Sequence, residues 1–162
     1  MSMFSIQPVR SEKELKAAKR LFAAYAASLP VDLMYQDFSS ELADLPGKYA
    51  PPAGELLVAW STSGSAIGCV GLRPLDQGKS GEMKRLYVST NARSLGLGRA
   101  LAGAVIHAAR ERGYSQLLLD TLPTMAAAAA LYESLGFERI GPYYGPTPPG
   151  TIFMRLHLDI AG

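Results

Sequence analysis

A mixed α/β fold, with a partly antiparallel central sheet of about seven strands flanked by helices, is the architecture this sequence predicts. Three observations carry the expectation. Apolar residues recur at helical spacing in several segments, short apolar runs bounded by turn residues lie between them, and no linker or composition break divides the 162 residues. With 48% apolar residues the chain buries one ordinary core, so residues 1–162 are expected to form a single domain.

The elements follow in order. Phe4 to Val9 reads as a short strand. Ser11 followed by Glu14 fits a capping box, and Leu15, Ala18, Phe22, Tyr25 and Leu29 then recur with helical period until Pro30. Asp37 to Leu45 reads as a second, short helix closed by Pro46 and Gly47, with Tyr35, Asp37 and Phe38 at its entrance. Glu55 to Trp60 and Ser65 to Leu72 are apolar runs around the turn residues STSG, which favour a hairpin, and GEMKRLYVS continues the strand series. From Leu97, residues Leu101, Ala104, Val105 and Ala108 define one face of a helix of about four turns that ends near Arg110, Arg112 and Gly113. Leu117 to Asp120 reads as a buried strand. Pro123 is expected to open an alanine-rich helix that stops at a glycine cap, Ser134-Leu135-Gly136. Ile152 to Leu158 supplies the last strand, and the four prolines and three glycines of GPYYGPTPPG before it mark a long irregular loop.

Charge and composition narrow the function classes. Sixteen Lys and Arg against fourteen Asp and Glu leave a net charge of +2 with no long basic run, which argues against a nucleic-acid partner. Apolar stretches are interrupted within about ten residues, too short for a membrane span, and the first residues lack the pattern of a signal peptide. A cytoplasmic protein without a membrane partner is expected. Cys69 is the sole cysteine and sits beside Ile67 and Val70, which suggests a buried structural thiol. Neither His107 nor His157 lies in a ligand pattern with Cys, Asp or Glu, so no metal is expected. No Gly-x-Ser-x-Gly elbow precedes a helix, which counts against a Ser-His-Asp hydrolase.

The stretch NARSLGLGRALAG, Asn91 to Gly103, places three glycines and two arginines where a strand-like run becomes a helix-like one. Amides at a helix start are unpaired and carry the positive end of the dipole, so they suit a phosphate group. Gly96 and Gly98 let such a ligand approach the main chain, and Arg93 and Arg99 can pair with its oxygens, which makes a pyrophosphate the natural guest. An ordinary strand-to-helix turn with incidental glycines is the alternative. A Walker loop fails, because Gly98 is followed by Arg99 and Ala100 rather than Lys and Ser or Thr. A dinucleotide fingerprint lacks its third small residue, since Leu101 stands there, and is left resting on Asp120 at the end of the next strand.

These residues resemble the GNAT superfamily of N-acetyltransferases, whose acetyl-CoA motif has the form Arg/Gln-x-x-Gly-x-Gly/Ala. Arg93-Ser94-Leu95-Gly96-Leu97-Gly98 matches it in full. The resemblance extends upstream to LYVS, like the family's central strand, and downstream to AALYESLGF, like its second motif ending in Tyr-x-x-x-Gly-Phe; it covers residues 55 to 140. It implies a strand splayed from its neighbour, whose opening admits the pantetheine arm of acetyl-CoA. By resemblance Leu86, Tyr87 and Val88 pair with that arm, while Arg93 to Arg99 hold the diphosphate. The family often has Asn seven residues before its motif tyrosine, and Met125 stands there instead, so a side-chain hydrogen bond to the arm is in doubt. Ala126 to Ala130 either give a thin ligand a smooth helix surface or simply reflect alanine's helix propensity.

The implied chemistry needs an unprotonated amine. An alkylammonium of pKa about 10.4 is only about one part in two thousand neutral at pH 7, so a general base offsets a cost of about 4 to 5 kcal/mol. Glu82, just before the cofactor-binding part of the strand, is the candidate; the alternative is a solvated residue or a partner of Lys84 or Arg85. Tyr132 matches the tyrosine that gives the leaving thiolate its proton; the alternative is packing beside Leu135. Direct attack of the amine needs no covalent enzyme intermediate, because proximity supplies much of the acceleration. The acceptor pocket is expected from the variable parts Tyr35, Asp37, Phe38, Tyr143 and Tyr144, with Arg73 and Lys84 close enough to receive a carboxylate. A small amine bearing an acid group is therefore the expected acceptor. The alternatives are a noncatalytic acyl-CoA-binding module and a nucleotide-dependent oxidoreductase. A homodimer is possible through an exposed edge of the final strand.

Overall fold

The computed structural model describes residues 3–158, apart from the side chains of Met34, Tyr35 and Ser94. Its strands are β1 (Phe4–Pro8), β2 (Glu55–Ser61), β3 (Ala66–Leu75), β4 (Ser80–Val88), β5 (Gln116–Thr121), β6 (Glu138–Ile140) and β7 (Ile152–His157). Its helices are α1 (Glu12–Ser28), α2 (Phe38–Asp44), α3 (Leu97–Glu111) and α4 (Ala126–Ser134). The strands form one sheet in the order β1-β2-β3-β4-β5-β7-β6, antiparallel throughout except between β4 and β5. The final strand β7 is thus covered on both sides, and β1 and β6 are the sheet's edges. Of the two roles open to the final strand, an edge free for a second copy or a strand that completes the chain's own sheet, the second holds: residues 138–140 pair along it.

Strand alternation divides the core between two faces. Leu56 and Val58 of β2 join Ala18, Leu21 and Phe22 of α1, whereas Leu57 and Ala59 join Leu97, Leu101 and Val105 of α3. Helix α1 starts at Ser11, whose side chain accepts a hydrogen bond from the Glu14 N–H at 3.2 Å. The Glu14 carboxylate reaches one residue further back than in a standard capping box and takes the Arg10 N–H at 2.7 Å. Helix α4 begins at Ala126 rather than Pro123. The Met125 N–H donates to the Leu122 C=O, so Pro123 occupies the second position of a β-turn, where its fixed φ is favoured. Among the described residues no helix is long and apolar enough to cross a membrane.

The feature that positions everything else lies in β4. Its parallel pairing with β5 runs only from Ser80 opposite Gln116 to Glu82 opposite Leu118. Beyond that the two strands part. On the other side of β4, Tyr87 pairs with Cys69 but Lys84 with Gly71, so Arg85 and Leu86 share the single residue Val70. This is a β-bulge, and Arg85 takes φ 63 within it, a left-handed conformation that a side chain tolerates only when its surroundings compensate. The surroundings do so: the Arg85 carbonyl accepts from Cys69 Sγ at 3.4 Å, and its guanidinium is held by Glu41 at 2.8 and 3.0 Å. Ser80 to Arg85 are all buried, while Leu86 to Val88 are only half-buried where the sheet opens.

Packing opposite the bulge is equally constrained. A Cβ on Gly71 would lie 2.6 Å from Cδ1 and Cε1 of Tyr49, whose ring is 1% exposed and stands edge-on to Phe22. Gly71→Ala is therefore expected to lower stability by about 1 to 3 kcal/mol through overpacking. Urea unfolding measures it, and an unchanged midpoint would show that the Tyr49 ring moves freely.

Candidate active site

Immediately after β4 the chain runs through a short 3-10 turn, Thr90–Leu95, into α3. Gly96 is the residue that starts this helix, at φ 73, and no side chain caps the start, in contrast to Ser11 on α1. A Cβ at Gly96 would meet open space, and one at Gly98 would touch only Leu131 and Val88, at 3.6 and 4.0 Å. Positive φ explains the first glycine. Protein packing does not require the second, since 3.6 and 4.0 Å are ordinary contact distances. Arg93 donates through Nε to the Val88 carbonyl at 3.4 Å and Arg99 to Ser134 Oγ at 2.8 Å, both exposed at the helix start. Leu95 and Leu97 pack into the core below this turn, and the Ser94 side chain lies outside the described residues.

Where β4 and β5 part, a narrow cavity of about 60 Å³ opens between them. Met83 to Leu86 line it from β4, Leu119 to Thr121 from β5, and Met125, Ala128 and Tyr132 from α4. Of the alanine run, Ala128 lines the cavity. The Tyr132 ring packs 5.8 Å from Phe137, and burial pushes its phenol pKa up. Tyr87 points to the opposite face, where its ring meets Tyr25 at 6.3 Å; its main chain remains part of the opening strand.

A wider, polar vestibule of about 760 Å³ adjoins the cavity and shares Gln36 and Lys84 with it. Asp37, Arg73, Glu82, Tyr143 and Tyr144 line this vestibule. Glu82 is 1% exposed; its carboxylate accepts from Arg73 Nε at 2.7 Å and from the Tyr143 hydroxyl at 2.5 Å. The partners expected for it, Lys84 and Arg85, are engaged elsewhere. Lys84 Nζ lies 3.3 Å from Asp120 Oδ1 and donates to Gln36 Oε1 at 3.0 Å, and burial pulls its pKa down. Burial also raises the Tyr143 phenol pKa, reinforced by the charge of Glu82.

Of the residues singled out in the sequence, Leu86 and Tyr132 line the cavity, Asp37, Arg73, Glu82, Tyr143 and Tyr144 line the vestibule, and Lys84 lines both, whereas Tyr87, Val88, Arg93 and Leu95 to Arg99 line neither. Phe38 lines neither: its ring packs under the Arg85 guanidinium, 5.2 Å from centroid to carbon, and so supports the bulge rather than the vestibule wall. Tyr35 carries a side chain outside the described residues. Gln36 and Asp120 were missed as site residues. Asp120 had a readable signal, a carboxylate closing an apolar run, but its partners come from distant segments. Among the described residues no group of three or more His, Cys, Asp or Glu could hold a metal; His107 and His157 are exposed beside Glu111 and Glu138, each at 3.4 Å.

Comparison with known proteins places this geometry. Residues 18–137 match the sequence profile of the acetyltransferase (GNAT) family. The chain is 40% identical over 158 residues to an uncharacterized N-acetyltransferase of Schizosaccharomyces pombe, covering 98% of this chain and 97% of that one. It is 33% identical to an N-acetylaspartate synthetase of Danio rerio over 130 residues, 79% of this chain and 46% of the relative. A Salmonella typhimurium structure determined with its cofactor acetyl-CoA shares the fold, with TM-score 0.75 and 22% identity over 99% of this chain and 97% of that one. The profile match, the full-length relative and the splayed β4–β5 pair agree: this chain is an N-acetyltransferase and belongs to the GNAT family.

Proposed function

We propose that the chain moves the acetyl group of acetyl-CoA directly to the amine of a small, carboxylate-bearing metabolite. The observation that carries this reading is a narrow cavity where β4 leaves β5, which shares Gln36 and Lys84 with a wide vestibule and follows the same strand that leads into an uncapped glycine helix start. The acetyl-CoA of the Salmonella neighbour supports the donor, and the name of the Danio relative supports an amine that carries carboxylates.

Bound acetyl-CoA supplies an activated thioester. The amides from Ser94 to Arg99 cradle its diphosphate, where unpaired N–H groups and the helix dipole favour an anion, and the exposed Arg93 and Arg99 pair with the phosphate oxygens. Main-chain groups of Leu86, Tyr87 and Val88, released from pairing with β5, take the thin pantetheine arm, and one of their N–H groups polarises the thioester carbonyl. Tyr132 stays protonated because it is buried, so it donates a hydrogen bond to the leaving sulfur; the raised pKa makes full transfer of the proton the harder step, and the phenolate left by that transfer takes a proton back from solvent as the products leave. Glu82 is the base: Arg73 and Tyr143 orient its carboxylate, and each oxygen keeps a second lone pair for a proton relayed from the acceptor through water. Arg73 gives Nε to Glu82, which leaves its terminal nitrogens, with Lys84, to receive the acceptor's carboxylate. Asp37, Tyr143 and Tyr144 form the surrounding wall.

A panel of amines incubated with acetyl-CoA tests the reading; acidic amines such as aspartate are expected to be acetylated, and activity confined to polyamines or protein lysines rejects it. Tyr132→Phe is expected to lower kcat by about a hundredfold, with coenzyme A affinity nearly unchanged. Wild-type turnover in that variant removes the phenol from the mechanism. Gly98→Val is expected to weaken coenzyme A binding by about tenfold or more while the unfolding midpoint stays near wild type, since the protein itself has room for a Cβ there. Calorimetric titration beside urea unfolding separates the two effects.

A further inference from the structure

We propose that Asp120, at the end of β5, is a positioning residue for acetyl transfer: its carboxylate gathers Lys84, Tyr144 and Gln36 where the narrow cavity opens into the vestibule. The inference rests on the vestibule being the acceptor site and adds to it a group that does not itself take the acceptor.

Asp120 stands two residues past Leu118, and Lys84 two past Glu82, the last main-chain pair between β5 and β4. Their side chains thus bridge the strands at the first position where backbone hydrogen bonds no longer do. The Lys84 and Asp120 side chains are 3% and 7% exposed, so each charge depends on the other for solvation. The remaining bonds of the carboxylate tie in two further walls. Tyr144, from the irregular loop before β7, donates to Oδ2 at 2.7 Å, and Gln36, from the turn before α2, donates to the same oxygen at 3.4 Å. Gln36 also donates to the Tyr144 hydroxyl at 2.8 Å and accepts from Arg85 at 2.6 Å, which links the cluster to the bulge. Four segments separated in sequence therefore meet at one anion.

The consequence concerns Lys84. An ammonium has three donors; Asp120 and Gln36 take two, which leaves a third on a residue that lines the vestibule, where Nζ stands 5.8 Å from the centroid of the Tyr144 ring. Without the carboxylate, a buried ammonium favours its neutral form and loses its hold on an acidic acceptor. The Tyr144 wall loses its anchor at the same time.

Asp120→Asn keeps the shape of the side chain and removes its charge. With the best acceptor of the amine panel, its KM for that acceptor is expected to rise about tenfold or more, with kcat reduced less and coenzyme A affinity within about threefold of wild type. The double variant Lys84→Met/Asp120→Leu replaces the buried pair by apolar groups and is expected to recover thermal stability without recovering acceptor kcat/KM. An acceptor KM for Asp120→Asn within about twofold of wild type overturns the proposal, as does a double variant that regains wild-type kcat/KM. If the wild-type protein acetylates no amine in the panel, the acceptor reading fails and the proposal falls with it.

Discussion

Everything in this protein is arranged around the point at which β4 leaves β5. A strand in the middle of a sheet normally spends its amides on both neighbours, and one that abandons a neighbour inside the protein needs another partner for them. The departure has a local cause. The bulge at Arg85 and Leu86 opposite Val70 adds one residue, turns the strand, and places a buried arginine in a left-handed conformation. That conformation persists because Cys69, Glu41, Gln36 and Phe38 hold Arg85 from three other segments. The opened strand leads through the Thr90–Leu95 turn into the uncapped start of α3, so the two features adjoin in the chain.

Charge is distributed along β4 in a way that apolar packing cannot explain. Glu82, Lys84 and Arg85 are each buried, and each meets a partner from a different element: Arg73 on β3, Asp120 on β5 and Glu41 on α2. Buried ion pairs contribute little net stability against apolar replacements, because desolvation opposes the Coulombic gain. Their value here is directional. Each pair fixes a neighbouring element relative to the splayed strand, so the sheet opens by a set amount in a set place while its upstream half remains packed by Leu72, Met83 and Leu117.

The strand-turn-helix unit was legible because its constraints are local. Gly96 adopts positive φ, no close protein contact demands glycine at Gly98, and both lie in one short stretch with Arg93 and Arg99. Helix α1 was legible from its period and from Ser11. The start of α4 was misplaced because Pro123 suits a β-turn as well as a first helical turn, and the Leu122–Met125 hydrogen bond decides between them. Phe38 was assigned to the acceptor wall from its place at a loop entrance, but that place cannot report which charge its ring will cover. The roles of Gln36, Arg85 and Asp120 were hidden for a deeper reason. Their side-chain partners lie 24 to 108 residues away, and no periodicity encodes a register jump or the meeting of a loop with a strand end.

Cys69 carries the last implication. The sole sulfur nucleophile of the chain is fully enclosed on the α1 face, its hydrogen directed at the Arg85 carbonyl, and burial pushes its pKa up. A thiol so enclosed offers the acyl group no resting place, so thioester exchange onto the protein has no foothold. The residue that helps open the sheet for a thioester is thereby kept from reacting with it, and alkylating reagents or oxidants that inactivate thiol-dependent acyl carriers meet no target in the folded chain.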